Sequence, residues 1–133
     1  MTRPQHPNAT LVRELFAAFD NADLDKIVTL IPDDAVWSFP GRRGRLAGEH
    51  RGRDAILGFL LNVRELTSAT FHLELHDVIA NDDHAVALFT GHAQRNGKTL
   101  RNPTCLRMRI RDRQVVEVWE FVWDLYDVDE FWT

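Results

Sequence analysis

The apolar residues of this sequence change their spacing once, near Thr70, and this change limits the folds that the chain can adopt. Before Thr70, apolar residues recur at helical spacing in residues 10–31 and 53–66. A break at Asn21–Asp23 divides the first of these segments into two helices. After Thr70, polar and apolar residues alternate, which predicts strands at about 70–80, 84–95, 98–111 and 114–125.

Three helices followed by long strands with short turns predict an α+β fold rather than alternating βαβ units. The segment "AVWSFPG" (35–41) predicts a short strand between the second and third helices. Asp23 is suited to cap the second helix, and Pro32 is suited to end it. A chain of 133 residues is predicted to form a single domain, 1–133.

The composition is that of an ordinary globular protein, with 44% hydrophobic and 27% charged residues. No apolar run reaches the roughly 18 residues that span a bilayer, so no membrane association is predicted. The first residues, "MTRPQHPNAT", lack the apolar core of a secretory signal. The lone Cys105 provides neither an internal disulfide nor a cysteine-based zinc site. We therefore expect a cytoplasmic protein with no metal and no other cofactor.

The net charge of -4 argues against nucleic acid as a partner, although arginines are concentrated in two places. Five lie in "GRRGRLAGEHRGR" (41–53), and four more alternate along residues 107–113. A basic loop can bind phosphate groups. A solvated loop and one polar strand face explain the same pattern, and we favour that interpretation.

The turn "RNGK" (95–98) is the sharpest local signal, because Asn-Gly between strand-like runs favours a two-residue hairpin loop. This turn predicts that Phe89 lies opposite Thr104 and that Gly91 lies opposite Asn102. Small residues on one strand then face larger ones on the next. Such a face leaves room for a helix or a ligand.

The turn "RDRQ" (111–114) is weaker, and we favour a two-residue loop because it collects apolar residues on one face. An odd-length loop would invert the strand, since a slip of one residue moves every side chain to the other face. The favoured register leaves three valines on the outer face, which suggests a homodimer. The predicted inner face comprises Ala87, Phe89, Gly91, Ala93, Asn102, Thr104, Leu106, Trp119, Phe121 and Trp123.

The segment "HLELHD" (72–77) offers candidate catalytic residues, His76 and Glu74, on one face of a strand. A histidine oriented by a carboxylate is a natural acid or base at neutral pH. A two-residue loop at Asp82–Asp83 would turn both side chains inward. A three-residue loop would instead place Leu73 and its apolar neighbours inside, so both registers remain open. Metal binding by this His-x-Glu-x-His spacing is not predicted, because the spacing alone is unspecific.

The segments "DDAVWSFPG", "HRGRDAILGFL" and "VVEVWEFVWDLYDVDEFW", with two helices before them and a bent sheet, resemble the SnoaL-like branch of the nuclear transport factor 2-like superfamily. That superfamily includes ketosteroid isomerases, limonene-epoxide hydrolases and polyketide cyclases. The resemblance spans almost the whole chain and implies a cone, in which a curved sheet wraps three helices around an apolar pocket. It also implies a homodimer formed through the outer sheet face. The expected ligand-binding residues are Trp37, Phe39, Phe89, Asn102, Thr104, Trp119, Phe121 and Trp123.

The positions that carry catalysis in these relatives differ in this chain. Ketosteroid isomerases place a general-base aspartate before a proline on the first strand, where this chain has Phe39 before Pro40. Limonene-epoxide hydrolases carry Trp-x-Asp on the last strand, where this chain reads Trp119–Glu120–Phe121. Glu120 is expected on the outer face. The resemblance therefore implies a fold more strongly than it implies either reaction.

Three functions fit the sequence. The first is an isomerase, cyclase or epoxide hydrolase that acts without a cofactor on a small polycyclic or terpenoid-like molecule, with His76 or Glu74 as base. The second is a non-catalytic module that binds such a molecule. The third is an interaction protein that uses its dimer face or the arginines of residues 41–53.

Overall fold

The computed structural model describes residues 5–133 and has the predicted α+β architecture. The prediction that no secretory signal is present falls partly on residues 1–4, which lie outside the described residues. The helices are α1 (Pro7–Asp20), α2 (Leu24–Leu30), α3 (Arg53–Leu66) and α4 (Leu125–Trp132). The strands are β1 (Val36–Phe39), β2 (Gly48–Arg51), β3 (His72–Ala80), β4 (His84–Arg95), β5 (Lys98–Arg111) and β6 (Gln114–Val122).

All six strands form one curved sheet in the order β2-β1-β6-β5-β4-β3. Strands β1 and β6 run parallel, and the other neighbouring strands are antiparallel. Helix α1 packs on the inner face against β3 and β4, and α3 contacts β1 and β2. Within residues 5–133, no helix is long and apolar enough to cross a membrane.

The helices of the first half begin and end close to the predicted positions. His6 starts α1 by accepting a hydrogen bond at Nδ1 from the Asn8 backbone N–H at 3.1 Å. Asp23 caps α2 as predicted, because its carboxylate accepts from the Lys26 backbone N–H at 3.2 Å. Pro32 follows the end of α2. The face that α1 buries consists of Ala9, Leu11, Val12, Leu15, Phe16 and Ala18.

The hairpin between β4 and β5 confirms the register predicted from the Asn-Gly turn. Phe89 pairs with Thr104, and Gly91 pairs with Asn102. Asn96 has a φ of 50° and Gly97 a φ of 77°. Both values fit the two positive φ angles that a type I′ turn requires.

The register predicted for β6 was wrong, because a β-bulge at Val116 follows the two-residue turn. The bulge adds one residue to β6, so each later side chain exchanges faces. Glu120, and not Trp119, therefore lies opposite Leu106. The residues that move from the predicted inner face to the outer side are Trp119, Phe121 and Trp123.

A second bulge decides the register of β3. The tight turn at Asp82–Asp83 forms, and the Asn81 N–H donates to the His84 carbonyl at 2.9 Å. The bulge at His76 then reverses the faces of the earlier residues, so that Leu73 pairs with Gly91. Leu73 and Leu75 therefore pack against the core, as the three-residue loop would have placed them, although the loop that forms has two residues.

Strand β2 was not predicted, since it lies within the arginine-rich segment 41–53. It pairs with β1 at the edge of the sheet. Leu46 anchors the preceding loop and is completely buried. Arg42, Arg43 and Arg45 are exposed in this loop.

Helix α4 replaces the end of the predicted fourth strand. Asp124 caps it by accepting from the Asp127 backbone N–H at 3.1 Å. Phe131 and Trp132 are each only 2% exposed, so the end of the chain packs against the fold. Arg95 donates to the Phe131 carbonyl at 3.0 Å and so ties α4 to the end of β4.

Candidate functional site

The inner face of the sheet and helices α1, α3 and α4 surround a cavity that is partly open to solvent. Its lining is apolar except for two polar side chains, Asn102 on β5 and Glu120 on β6. The other lining residues are Leu15, Phe16, Phe19, Trp37, Phe39, Phe59, Leu60, Val63, Phe71, Leu73, Phe89, Gly91, Leu100, Leu106 and Trp132. An apolar cavity with a few placed polar groups is the usual form of a small-molecule site.

Glu120 faces this cavity from β6. The Trp37 indole donates a hydrogen bond from Nε1 to Glu120 Oε1 at 2.8 Å. Glu120 is half-buried, and its side chain lines the cavity. Burial raises the pKa of Glu120 from its ordinary 4.5 to about 7, and the hydrogen bond from Trp37 offsets part of this rise. Near neutral pH the group therefore exists in both protonation states, as an acid–base catalyst requires.

The Trp37 indole is held in place by an aromatic cluster. The Phe59 ring lies 5.6 Å from the Trp37 ring and 5.5 Å from the Phe39 ring, between centroids. His50 stacks on Phe59 at a centroid distance of 4.3 Å. This packing keeps the indole N–H directed at Glu120.

Four of the predicted pocket residues lie in the cavity lining: Trp37, Phe39, Phe89 and Asn102. A fifth, Thr104, is buried beside the cavity and is not part of its lining. The Thr104 hydroxyl donates to the Asn102 backbone carbonyl at 3.0 Å. Thr104 therefore supports the strand and has no free hydroxyl directed at a ligand.

The other three predicted pocket residues, Trp119, Phe121 and Trp123, are solvent-exposed on the outer side, by 37%, 51% and 86% respectively. The Arg107 guanidinium lies 4.3 Å from the centre of the Trp119 ring, in a cation–π contact. The structure does not bring these aromatic residues to the cavity.

The predicted catalytic pair, His76 and Glu74, also lies outside the cavity. His76 Nε2 forms a hydrogen bond of 2.8 Å with Thr90 Oγ1. Glu74 Oε1 lies 2.9 Å from His92 Nε2, and this hydrogen bond lowers the pKa of Glu74. Both side chains are on the exposed side of β3, so they cannot reach a molecule inside the cavity. No cluster of three metal-ligating side chains occurs within residues 5–133.

Sequence reasoning missed Glu120 because it assumed regular alternation along β6. One signal of the bulge is present in the sequence, the adjacent pair Val115–Val116. Both side chains are buried, with exposures of 1% and 6%, which regular alternation on a one-sided sheet does not permit. A doubled apolar residue just after a hairpin turn is consistent with a bulge at that point.

Residues 12–118 match the family model of the SnoaL-like domain. Bal32a, from a soil-derived mobile gene cassette, is 35% identical over 95% of this chain and 96% of that chain, with a TM-score of 0.91. A protein of unknown function with a cystatin-like fold from Xanthomonas campestris is 26% identical over 96% and 98% of the two chains, with a TM-score of 0.88. A nuclear transport factor 2-like protein from Burkholderia xenovorans is 20% identical over 95% of each chain, with a TM-score of 0.78, and shares the fold. No curated protein matches the sequence significantly.

Proposed function

The chain belongs to the SnoaL-like domain family, and we propose that it binds a small hydrophobic molecule in its cavity and catalyses proton transfer on it through Glu120. The observation that carries this proposal is the position of Glu120, a carboxyl group with a pKa of about 7 that faces an apolar cavity. Isomerisation, cyclisation and hydrolysis of an epoxide all include such proton transfers. None of them needs a redox cofactor.

The chemistry follows from the two protonation states of Glu120. The carboxylate accepts a proton from a carbon atom beside a ligand carbonyl, and the resulting acid returns the proton to another atom of the ligand. For an epoxide, protonated Glu120 donates its proton to the ring oxygen as a C–O bond breaks and a water molecule from the open part of the cavity attacks that carbon. The attacking water then gives a proton back to the carboxylate, and the product is a diol. Trp37 holds Oε1, which leaves the second carboxyl oxygen available to the ligand. Because most of the lining is apolar, a bound ligand displaces water from around Glu120 and strengthens the hydrogen bond between the carboxyl group and the ligand.

The test uses the near-isosteric variant Glu120→Gln, which keeps an oxygen for the Trp37 N–H and loses the titrating group. Turnover of a β,γ-unsaturated ketosteroid and a monoterpene epoxide is measured for both proteins. Loss of the acid–base group should reduce turnover of the active compound by about 10²–10⁴-fold, while its affinity changes little. Glu117→Gln is the matched control on the same strand, because Glu117 pairs with Arg109 on the outer face. Equal turnover by the Glu120→Gln variant and the wild-type protein would remove Glu120 from the mechanism.

A non-catalytic binding module is the second candidate, and one observation favours it. Phe39 lines the cavity at the place where the resemblance to ketosteroid isomerases implies a general base. A carrier needs only the apolar lining and would show saturable binding without product. Product formation by purified protein separates the two functions.

We further propose that the outer sheet face forms a homodimer. Trp119 and Phe121 are exposed there, next to the half-buried side chains of Val86, Leu88 and Cys105. A contiguous apolar patch of this kind is unusual on a free surface. These aromatic side chains take the place of the valines that the sequence predicted for this face.

Sedimentation of Phe121→Glu tests this assembly, because a buried charge at the centre of the patch opposes association. Leu61→Glu is the control, since Leu61 is equally exposed on α3, away from the sheet. The wild-type protein and the Leu61 variant are expected to sediment as dimers and the Phe121 variant as a monomer. A monomeric wild-type protein would contradict the proposal.

A further inference from the structure

Asn102 carries a buried polar side chain. Its exposure is 8%, and it lies in the cavity lining. Its side-chain amide forms no hydrogen bond with residues 5–133, whereas its backbone carbonyl accepts from the Thr104 hydroxyl. The amide atoms are not sealed within packed protein, so they face the cavity. A buried amide without a partner is unfavourable, and a ligand oxygen at this position would provide one.

Asn102 and Glu120 are separated along the inner face of the sheet. Glu120 lies opposite Leu106 on β5, and Asn102 precedes Leu106 by four residues on that strand. At about 3.3 Å per residue, this separation is about 13 Å along the sheet. The rest of the cavity lining is apolar. A small molecule with one oxygen cannot satisfy both groups.

The charge of the lining limits the chemistry of the ligand further. Among residues 5–133, the lining contains no lysine, arginine or histidine. A carboxylate or phosphate near Asn102 would therefore be desolvated without a counter-charge, which is costly. The Asn102 amide offers both a donor and an acceptor, so it suits a neutral hydroxyl or carbonyl oxygen.

We propose that Asn102 is a second ligand anchor, which makes the cavity selective for elongated, flat molecules with a neutral oxygen at each end. One oxygen contacts Glu120 and the other contacts Asn102, while the apolar body fills the space between them. This inference rests on the proposed function and names its ligand class as polycyclic hydroxyketones, diketones and polyphenols. Single-oxygen terpenoids are too short to reach both groups.

Gly91 provides the space that this second oxygen needs. It lies opposite Asn102 in the sheet and also lines the cavity. A Cβ atom at this position would lie 3.5 Å from Phe71 Cζ, an ordinary contact. Alanine therefore fits without disturbing the fold, and it narrows the cavity beside Asn102.

The experiment compares two matched pairs of ligands by calorimetry at about pH 6, where phenols and most of Glu120 are neutral. One pair is 2,6-dihydroxyanthraquinone and 2-hydroxyanthraquinone. The other pair is androst-4-ene-3,17-dione and androst-4-en-3-one. Each pair differs only in the oxygen at one end, so the ratio of the two dissociation constants reports the second anchor.

The wild-type protein should bind the two-ended member of at least one pair about tenfold more tightly, the effect of one hydrogen bond in a buried site. Asn102→Leu should abolish this difference, so that the two members of the pair bind the variant with equal affinity. Gly91→Ala should reduce the difference by obstruction, and it provides a second variant if Asn102→Leu does not fold.

Equal affinities for the two members of every pair in the wild-type protein would overturn the inference and leave the proposed function intact. A difference that persists in both variants would also overturn it, because another group would then hold the second oxygen. Failure of the wild-type protein to bind any of the four compounds would overturn the inference together with the proposed ligand cavity.

Discussion

Replacing Glu120 with Gln should stabilise the protein at neutral and alkaline pH and have little effect in acid. The pKa of Glu120 is about 7 in the folded protein, above its ordinary 4.5. Between these values the folded state binds more protons than the unfolded state, so the free energy of unfolding falls as the pH rises. The Gln variant carries no titrating group at this position, so its free energy of unfolding does not include this fall with pH.

The size of the effect follows from the two pKa values. Their difference of about 2.5 corresponds to about 3 kcal/mol, at 1.4 kcal/mol for each pKa unit. Part of the cavity is open to solvent, which screens the charge and reduces the expected effect to about 2 kcal/mol. The wild-type protein should lose this stability between about pH 4.5 and pH 7, and above that range the loss is constant.

Urea denaturation across this pH range measures the effect in the wild-type protein, Glu120→Gln and the control Glu117→Gln. The other titrating groups are common to the wild-type protein and the Glu120 variant, so the difference between the two curves isolates Glu120. That difference should grow with pH and then level off, and the Glu117 control should follow the wild-type curve. A constant difference from acid to neutral pH would show that Glu120 titrates normally, and would refute the argument from burial.

Three further perturbations test the surroundings of Glu120. Trp37→Phe removes the N–H that lowers the pKa of Glu120, so the pH midpoint of turnover should move upward, and an unchanged midpoint in a pH–rate profile would contradict this role. His76→Ala should leave turnover and ligand affinity unchanged, because His76 lies outside the cavity. A large loss of turnover in steady-state kinetics would show that His76 is a catalytic residue after all. Deletion of Val116 removes the bulge and turns Glu120 outward, so the protein should lose its cooperative thermal transition. A normal melting curve by circular dichroism would show that the bulge does not fix the register of β6.

The helices and the central hairpin were predictable because local signals determine them. The two-residue turn Asn96–Gly97 fixes the β4–β5 register, and Asp23 marks the start of α2. These signals depend on backbone conformation and capping, which are properties of short segments. They were sufficient to give the α+β class and to place Phe89 and Asn102 on the inner face.

The faces of β3 and β6 were harder to predict, because each depends on a single extra residue in a bulge. His76 and Val116 each reverse the alternation beyond them. A register argument carried from the turns therefore fails at every residue past the bulge, even when the turn itself is correct. The candidate site is sensitive to this error, since Glu120 moves from the outer surface to the cavity while Trp119 moves the other way.

Helix α4 and strand β2 were missed for different reasons. The residues after Val122 continue the aromatic alternation of a strand, and only the Asp124 cap marks a new helix. Strand β2 has four residues, Gly48 and three polar residues, and this composition does not predict a strand. The strand is identified by its pairing with β1.

The most direct test of the account is a carbon-13 NMR titration of the glutamate carboxyl groups, with Glu120→Gln used to assign the resonance. The account predicts one carboxyl that titrates near pH 7, is absent from the variant, and shifts when a two-ended polycyclic ligand is added. A Glu120 resonance that titrates near its ordinary 4.5 and does not respond to any ligand would contradict the proposed acid–base site.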